Sequence, residues 1–214
     1  MIKKCILLLL LLKPCDSCSQ NLTAYQLEKI DSVLSTLPYD TLIKSGINSA
    51  ILGGGYLDQG DSDKAKNHLF MAELMLSKAI STNPDDFTGY EWRGTTRYLS
   101  KKYSDAIVDF TKAIKLDPGN FKNYETRGES KMQLEDYYGA IDDFSKALSK
   151  TTKLSYSGYY KLYGDRGTCY LYQNKNQLAL TDFNSALLLN SEKSSYYLLR
   201  GLAKQGTLVG CQQA

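Results

Sequence analysis

Proline is scarce in this chain. Four in 214 residues leave room for long helices, because proline removes a backbone donor and clashes inside a helix. Histidine is scarcer still: His68 stands alone, which excludes a histidine-rich metal site. Neither sign of charge dominates, with 26 Lys and Arg against 23 Asp and Glu and a formal net charge of +3. A nucleic-acid binder usually shows a clear basic excess. The one long apolar run, Cys5 to Leu12, is eight residues, too short to span a bilayer. Gly53-Gly54-Gly55 lacks the Lys-Ser/Thr of a phosphate loop. His68 has no Cys, Ser or Asp arranged around it by motif, so no catalytic set, cofactor site or metal site is read, and the chain is expected not to be an enzyme. What remains is 43% hydrophobic and 23% charged, an ordinary globular composition with one unusual count, seventeen tyrosines.

Residues 1–19 have the layout of a secretory signal peptide. Lys3 and Lys4 form a positive start, the apolar run follows, and Ser17-Cys18-Ser19 offers small residues at a cut. The expectation is an exported chain, periplasmic or secreted. Lipid anchoring is the lesser alternative, since Lys13-Pro14 precedes Cys15 and Asp16-Ser17 precedes Cys18. Cys15-x-x-Cys18 has a redox spacing, but it lies in the segment expected to be discarded. Cleavage leaves Cys169 and Cys211, whose pairing the sequence leaves open.

Self-comparison carries the strongest signal. Tyr-x-x-Arg-Gly occurs at Tyr90–Gly94, Tyr124–Gly128, Tyr163–Gly167 and Tyr197–Gly201. After the first three, Ala follows the Gly by twelve residues, Phe by sixteen and a second Ala by nineteen: Ala106, Phe110 and Ala113; Ala140, Phe144 and Ala147; Ala179, Phe183 and Ala186. A degenerate copy precedes them in Gly53, Tyr56, Gly60 and Ala65, with its closing Ala79-Ile80 seven residues late, so its second helix is expected to be longer. Each copy reads as two amphipathic helices with apolar residues three and four apart. Asp117-Pro118-Gly119-Asn120 stops one copy and launches the next. Recurrent Gly and Ala mark close helix approach.

These residues resemble the tetratricopeptide-repeat (TPR) family. The match is fullest over 87–120, in Tyr90, Gly94, Tyr98, Tyr103, Ala106, Phe110, Ala113 and Pro118; later copies have Thr152 and Ser191 in place of proline. Arg93, Arg127, Arg166 and Arg200 replace the usual leucine before Gly. The resemblance implies an all-α fold, an αα-superhelix in which helix-turn-helix repeats stack as a right-handed solenoid. The expected organisation is a signal peptide at 1–19, a capping helix within 20–40, and a TPR domain at 41–214. Its repeats lie at about 46–86, 87–120, 121–154 and 160–193, with a partial one at 194–214. Gly206 to Ala214 is too short for a full second helix; either the helix from Ser194 to Gln205 caps the stack or an edge is left for another molecule.

The resemblance also implies that the first helix of each repeat lines a groove for a protein or peptide partner. Its lining would be Glu91, Thr95, Tyr98, Lys122, Glu125, Glu129, Met132, Lys161, Thr168 and Tyr172, together with Thr88 and Leu171. Relatives that grip a C-terminal carboxylate use Lys and Asn at several of these places. Only Lys122 and Lys161 match, while Thr95, Glu129 and Thr168 stand at the Asn positions, so a basic or mixed extended segment is the better expected ligand. No nucleic acid and no small-molecule substrate is expected; envelope association and an oligomer stay open. The rival function is a structural subunit of a cell-envelope assembly.

The repeated arginines have a second reading. Asp109, Asp143 and Asp182 follow Arg93, Arg127 and Arg166 by sixteen residues each. Antiparallel helices bring such positions face to face, which predicts an ion pair inside each repeat. Tyr156, Tyr159 and Tyr160 fall off the packing positions and are expected to form an exposed patch, and Trp92 is read as packing or surface.

Overall fold

The computed structural model describes residues 24–151 and 158–212, with side chains through residue 207. The signal-peptide reading of 1–19, Tyr156 and most of the insertion after Thr151 lie outside the described residues. Ten α-helices and no strand are seen among those described. The chain divides into two compact units, 1–102 and 103–214.

The first unit contains α1 (Ala24–Leu34), α2 (Tyr39–Asp58), α3 (Ser62–Thr82) and α4 (Phe87–Leu99). α2 and α3 pack antiparallel at very close range. A Cβ at Gly46 would lie 2.7 Å from the Leu76 side chain, and one at Gly53 would lie 2.7 Å from Leu69. Two glycines seven residues apart thus face two leucines seven residues apart, one row along each helix. Both helices are long, 20 and 21 residues. The expected start of this copy near residue 46 is therefore corrected to Tyr39: a longer second helix is matched by a longer first one, because unmatched turns would leave apolar surface bare. Ile30 and Leu34 of α1 are each 2% exposed in the core with Leu42, Ala72 and Leu76, and Trp92 packs against it. Tyr39 donates to Asp86, whose carboxylate also accepts from the Thr88 amide and caps α4. Burial, and with it this bond, raises the Tyr39 pKa.

The second unit contains α5 (Tyr103–Leu116), α6 (Phe121–Gln133), α7 (Tyr137–Lys150), α8 (Tyr159–Tyr172), α9 (Asn176–Leu189) and α10 (Ser194–Gln212). Each helix packs on the next. Phe144 closes over Gly128 and Phe183 over Gly167, where an added Cβ would fall 2.9 and 3.0 Å from the ring. Ala140, Ala147, Ala179 and Ala186 are fully buried beside these rings. The side-chain carboxylates of Asp61 and Asp136 and the amide of Asn120 accept from backbone N–H groups at the starts of α3, α7 and α6.

Seven residues after the repeat glycine the backbone turns left-handed each time, at Gly60 (φ 79°), Lys101 (61°), Glu135 (63°) and Asn174 (56°). This reversal sends the chain from the first helix of a copy into the second. After Gly201 it does not occur: α10 runs on to Gln212. The expected end of this helix at Gln205 is corrected accordingly. Gly206 does not break it, and sits against α9, where an added Cβ would fall 2.5 Å from the Asn176 side-chain amide.

Candidate partner-binding face

The repeated arginines lie between the helices. In the second unit Arg127 donates through Nε to Asp143 Oδ2 at 2.9 Å and through Nη2 to Oδ1 at 2.6 Å. Arg166 does the same to Asp182, at 2.8 Å for both bonds. Both aspartates are almost fully buried. Each guanidinium also lies over the tyrosine three residues before it, Tyr124 or Tyr163, at 5.7 Å from the ring centroid. Its remaining arm reaches back to the preceding second helix, at Thr111 or Ser145. Lys131 adds a second cation to Asp143 at 2.8 Å. In the first unit Arg93 lies over Tyr90 and donates to Ser77; Asp109 is buried in the second.

The first helices of the second unit share a face, because Lys161 of α8 bonds to Glu129 of α6. Glu125 and Glu129 are only 5% and 7% exposed, and Lys122 lies 3.4 Å from Glu125. Sequence reasoning missed Asp165 of α8, which sits in the field of Lys161, Glu129 and Glu125. Its position, directly before the repeat arginine, falls outside the groove positions the resemblance implies; an acidic residue there, beside the Glu125 and Glu129 of the copy before, was the available signal. No ion pair or side-chain hydrogen bond engages its carboxyl among the described residues. Burial, opposed by Lys161 and aided by the two glutamates, pushes the Asp165 pKa up to about 7, and burial raises that of Glu125.

A carboxyl whose folded pKa exceeds its unfolded value favours the folded state when protonated. Stability contributed this way falls as pH rises from about 4 to about 7. Asp165→Asn is therefore expected to raise stability by about 1–3 kcal/mol at pH 8 and to leave it unchanged at pH 4. Thermal midpoints of the two proteins across that range measure it; parallel curves would contradict the assignment.

The other expected groove residues are placed less tightly. Thr168 bonds to the Gly164 carbonyl within its own helix. Tyr172 is 65% exposed and stacks on Tyr137 at 4.7 Å. Met132 packs beside the Phe144 core. In the first unit, Thr95 bonds to the Glu91 carbonyl, and Glu91 and Tyr98 are half-buried. The expected exposed tyrosine patch is corrected. Tyr159 donates to the Thr151 carbonyl at 2.5 Å, and Tyr160 packs on the core around Phe183, edge-on to Tyr196. Both rings are half-buried, because each finds a contact of its own: a carbonyl for the Tyr159 hydroxyl and a neighbouring ring for Tyr160. Tyr196 itself rests on Gly164, where a Cβ would lie 2.2 Å from its ring.

His68 stacks on Tyr56, and burial lowers its pKa. Cys169 is a free thiol whose pKa burial pushes up to about 12. Among the described residues no group of three or more His, Cys, Asp or Glu is arranged to hold a metal ion, and no helix is long and apolar enough to cross a membrane.

No protein-family model matches the chain. No curated protein matches it in sequence. Solved structures do match. A crystal structure of MamA is 21% identical with a TM-score of 0.62, covering 69% of this chain and 84% of that one. YrrB, described as a TPR protein with an unusual peptide-binding site, is 18% identical with a TM-score of 0.61, covering 85% and 82%. The chain has the tetratricopeptide-repeat fold. A third TPR structure, the first TPR of Spaghetti (RPAP3) bound to the HSP90 peptide SRMEEVD, is 21% identical with a TM-score of 0.52 over 57% of this chain and 93% of that one. In TPR terms, the Arg-Asp pairs hold the two helices of one repeat together, and the Glu125, Glu129, Lys161 and Asp165 group bridges the first helices of neighbouring repeats.

Proposed function

We propose that this chain is an exported, non-catalytic TPR scaffold that binds a basic or mixed extended protein segment on the first-helix face of its second unit. One observation carries the reading: three recessed carboxyls, Glu125, Glu129 and Asp165, share that face with two lysines, so one carboxyl lacks a compensating cation. A ligand lysine, arginine or amino terminus supplies it. An acidic tail such as the HSP90 peptide held by the RPAP3 domain would instead add charge of the same sign. Export is supported by the layout of residues 1–19. N-terminal sequencing of protein recovered from the host envelope checks it, with a start at or near Gln20 expected.

Titration calorimetry of the full chain tests the ligand class. A lysine- and arginine-containing extended peptide is expected to bind at least tenfold more tightly than SRMEEVD. Glu125→Lys with Glu129→Lys is expected to remove that preference while circular dichroism stays helical. Tighter binding of the acidic peptide would overturn the reading.

A further inference from the structure

α10 repeats the first helix of a TPR pair, but among the described residues no second helix packs on its side. Everything else that receives a second helix is in place. Arg200 lies over the Tyr197 ring at 5.1 Å, as Arg127 does over Tyr124 and Arg166 over Tyr163. Its Nη1 donates back to Asn184 of α9, as those two donate to Thr111 and Ser145. In the two complete copies within the second unit, at Arg127 and Arg166, Nε and Nη2 grip a buried aspartate; in α10 these two donors meet no carboxylate among the described residues. Lys204 follows Arg200 by four residues, as Lys131 follows Arg127, and Lys131 is the second cation on Asp143. Gly201 has nothing within 4 Å of where its Cβ would be, while the corresponding Gly128 and Gly167 each lie under a phenylalanine ring. Tyr197 is 45% exposed where Tyr124 is 7%.

We propose that this face of α10 is a preformed socket for one α-helix supplied by a partner protein, bearing Asp and Phe at adjacent positions between two alanines, Ala-x-x-Asp-Phe-x-x-Ala. The aspartate pairs with Arg200 and Lys204. The phenylalanine covers Gly201, and the alanines permit the close approach seen in α7 and α9. The internal repetition states what covers the face, because the same surface is covered twice in the same unit by helices of this pattern. A second copy of this chain has no such helix to give: Asp109-Phe110, Asp143-Phe144 and Asp182-Phe183 are all buried where they stand. Within the described residues the chain does not turn back onto this face: α10 stays helical past the position at which the other copies reverse.

The probe is a peptide with the sequence of Tyr137–Lys150, fluorescently labelled. Asp142 and Lys146 already form an exposed pair at 2.6 Å, so a lactam between them fixes the helix without touching the contact face. Fluorescence anisotropy with the full chain is expected to show saturable binding. A peptide carrying D143N and F144A is expected to bind at least tenfold more weakly. On the protein side, Gly201→Leu fills the hole at a position with free space, and Arg200→Met removes the paired donors; each is expected to cost tenfold or more. No saturable binding of the native-sequence peptide, or equal binding by the altered peptide or by Gly201→Leu, would overturn the proposal. Self-association of the unaltered chain that Gly201→Leu abolishes would also overturn it, by making a second copy the occupant.

Discussion

Arg166→Ala is expected to lower the unfolding free energy by about 3–5 kcal/mol, the range for stripping the partner from a buried charge. Asp182 is 3% exposed and the Arg166 guanidinium meets both of its oxygens at 2.8 Å. Without the arginine, the carboxylate must stay charged in a poorly hydrated place, take up a proton, or pull water between α8 and α9. The same change at Arg127 is expected to cost less, about 1–3 kcal/mol, because Lys131 remains 2.8 Å from Asp143. The comparison separates charge pairing from loss of packed arginine stem, which both variants share. Arg166→Met with Asp182→Leu is expected to recover most of the loss, since an apolar pair of similar volume carries no desolvation penalty. Urea midpoints followed by circular dichroism measure all of these. A loss below about 1 kcal/mol for Arg166→Ala would mean that the pair is solvated in the native protein.

Phe144→Ala is expected to cost a further large amount, about 3–5 kcal/mol. The ring is fully buried and fills the space above Gly128, with Ala140, Ala147, Leu162 and Cys169 in the same core. Small residues surround it on its own helix, so the hole cannot be filled by a local side-chain shift. Phe144→Leu is expected to be much milder, about 1 kcal/mol. The first unit shows that the position accepts leucine: Leu69 occupies the equivalent place over Gly53, sixteen residues on. If alanine and leucine proved equally damaging, the ring would be acting through something other than the volume it fills.

The groove residues were named from the resemblance, and their spacing could not rank them. Lys122, Glu125, Glu129 and Lys161 come together because adjacent first helices are in register; Asp165 joins them one position off the expected pattern. Thr168 and Tyr172 share the helix of Lys161 but spend their polar or aromatic groups on local contacts. The tyrosines at 159 and 160 show the same limit. Their off-pattern positions predicted exposure, and a carbonyl at Thr151 and a ring at Tyr196 hold them half-buried instead.

The repeating Gly, Ala, Phe, Arg and Asp by themselves determined the paired helices, their order and the partners within each pair of the second unit. Those contacts recur at one constant separation, so periodicity in the chain becomes periodicity in space. Only the tertiary structure decided where that periodicity stops. It drew the first pair out to twenty-residue helices, left Asp165 recessed without an ion pair among the described residues, and carried α10 past its turn so that Gly201 and Arg200 stand uncovered among those residues. Each of these depends on which surfaces meet across helices, and a side chain's neighbours across a helix interface are set by packing rather than by distance along the chain.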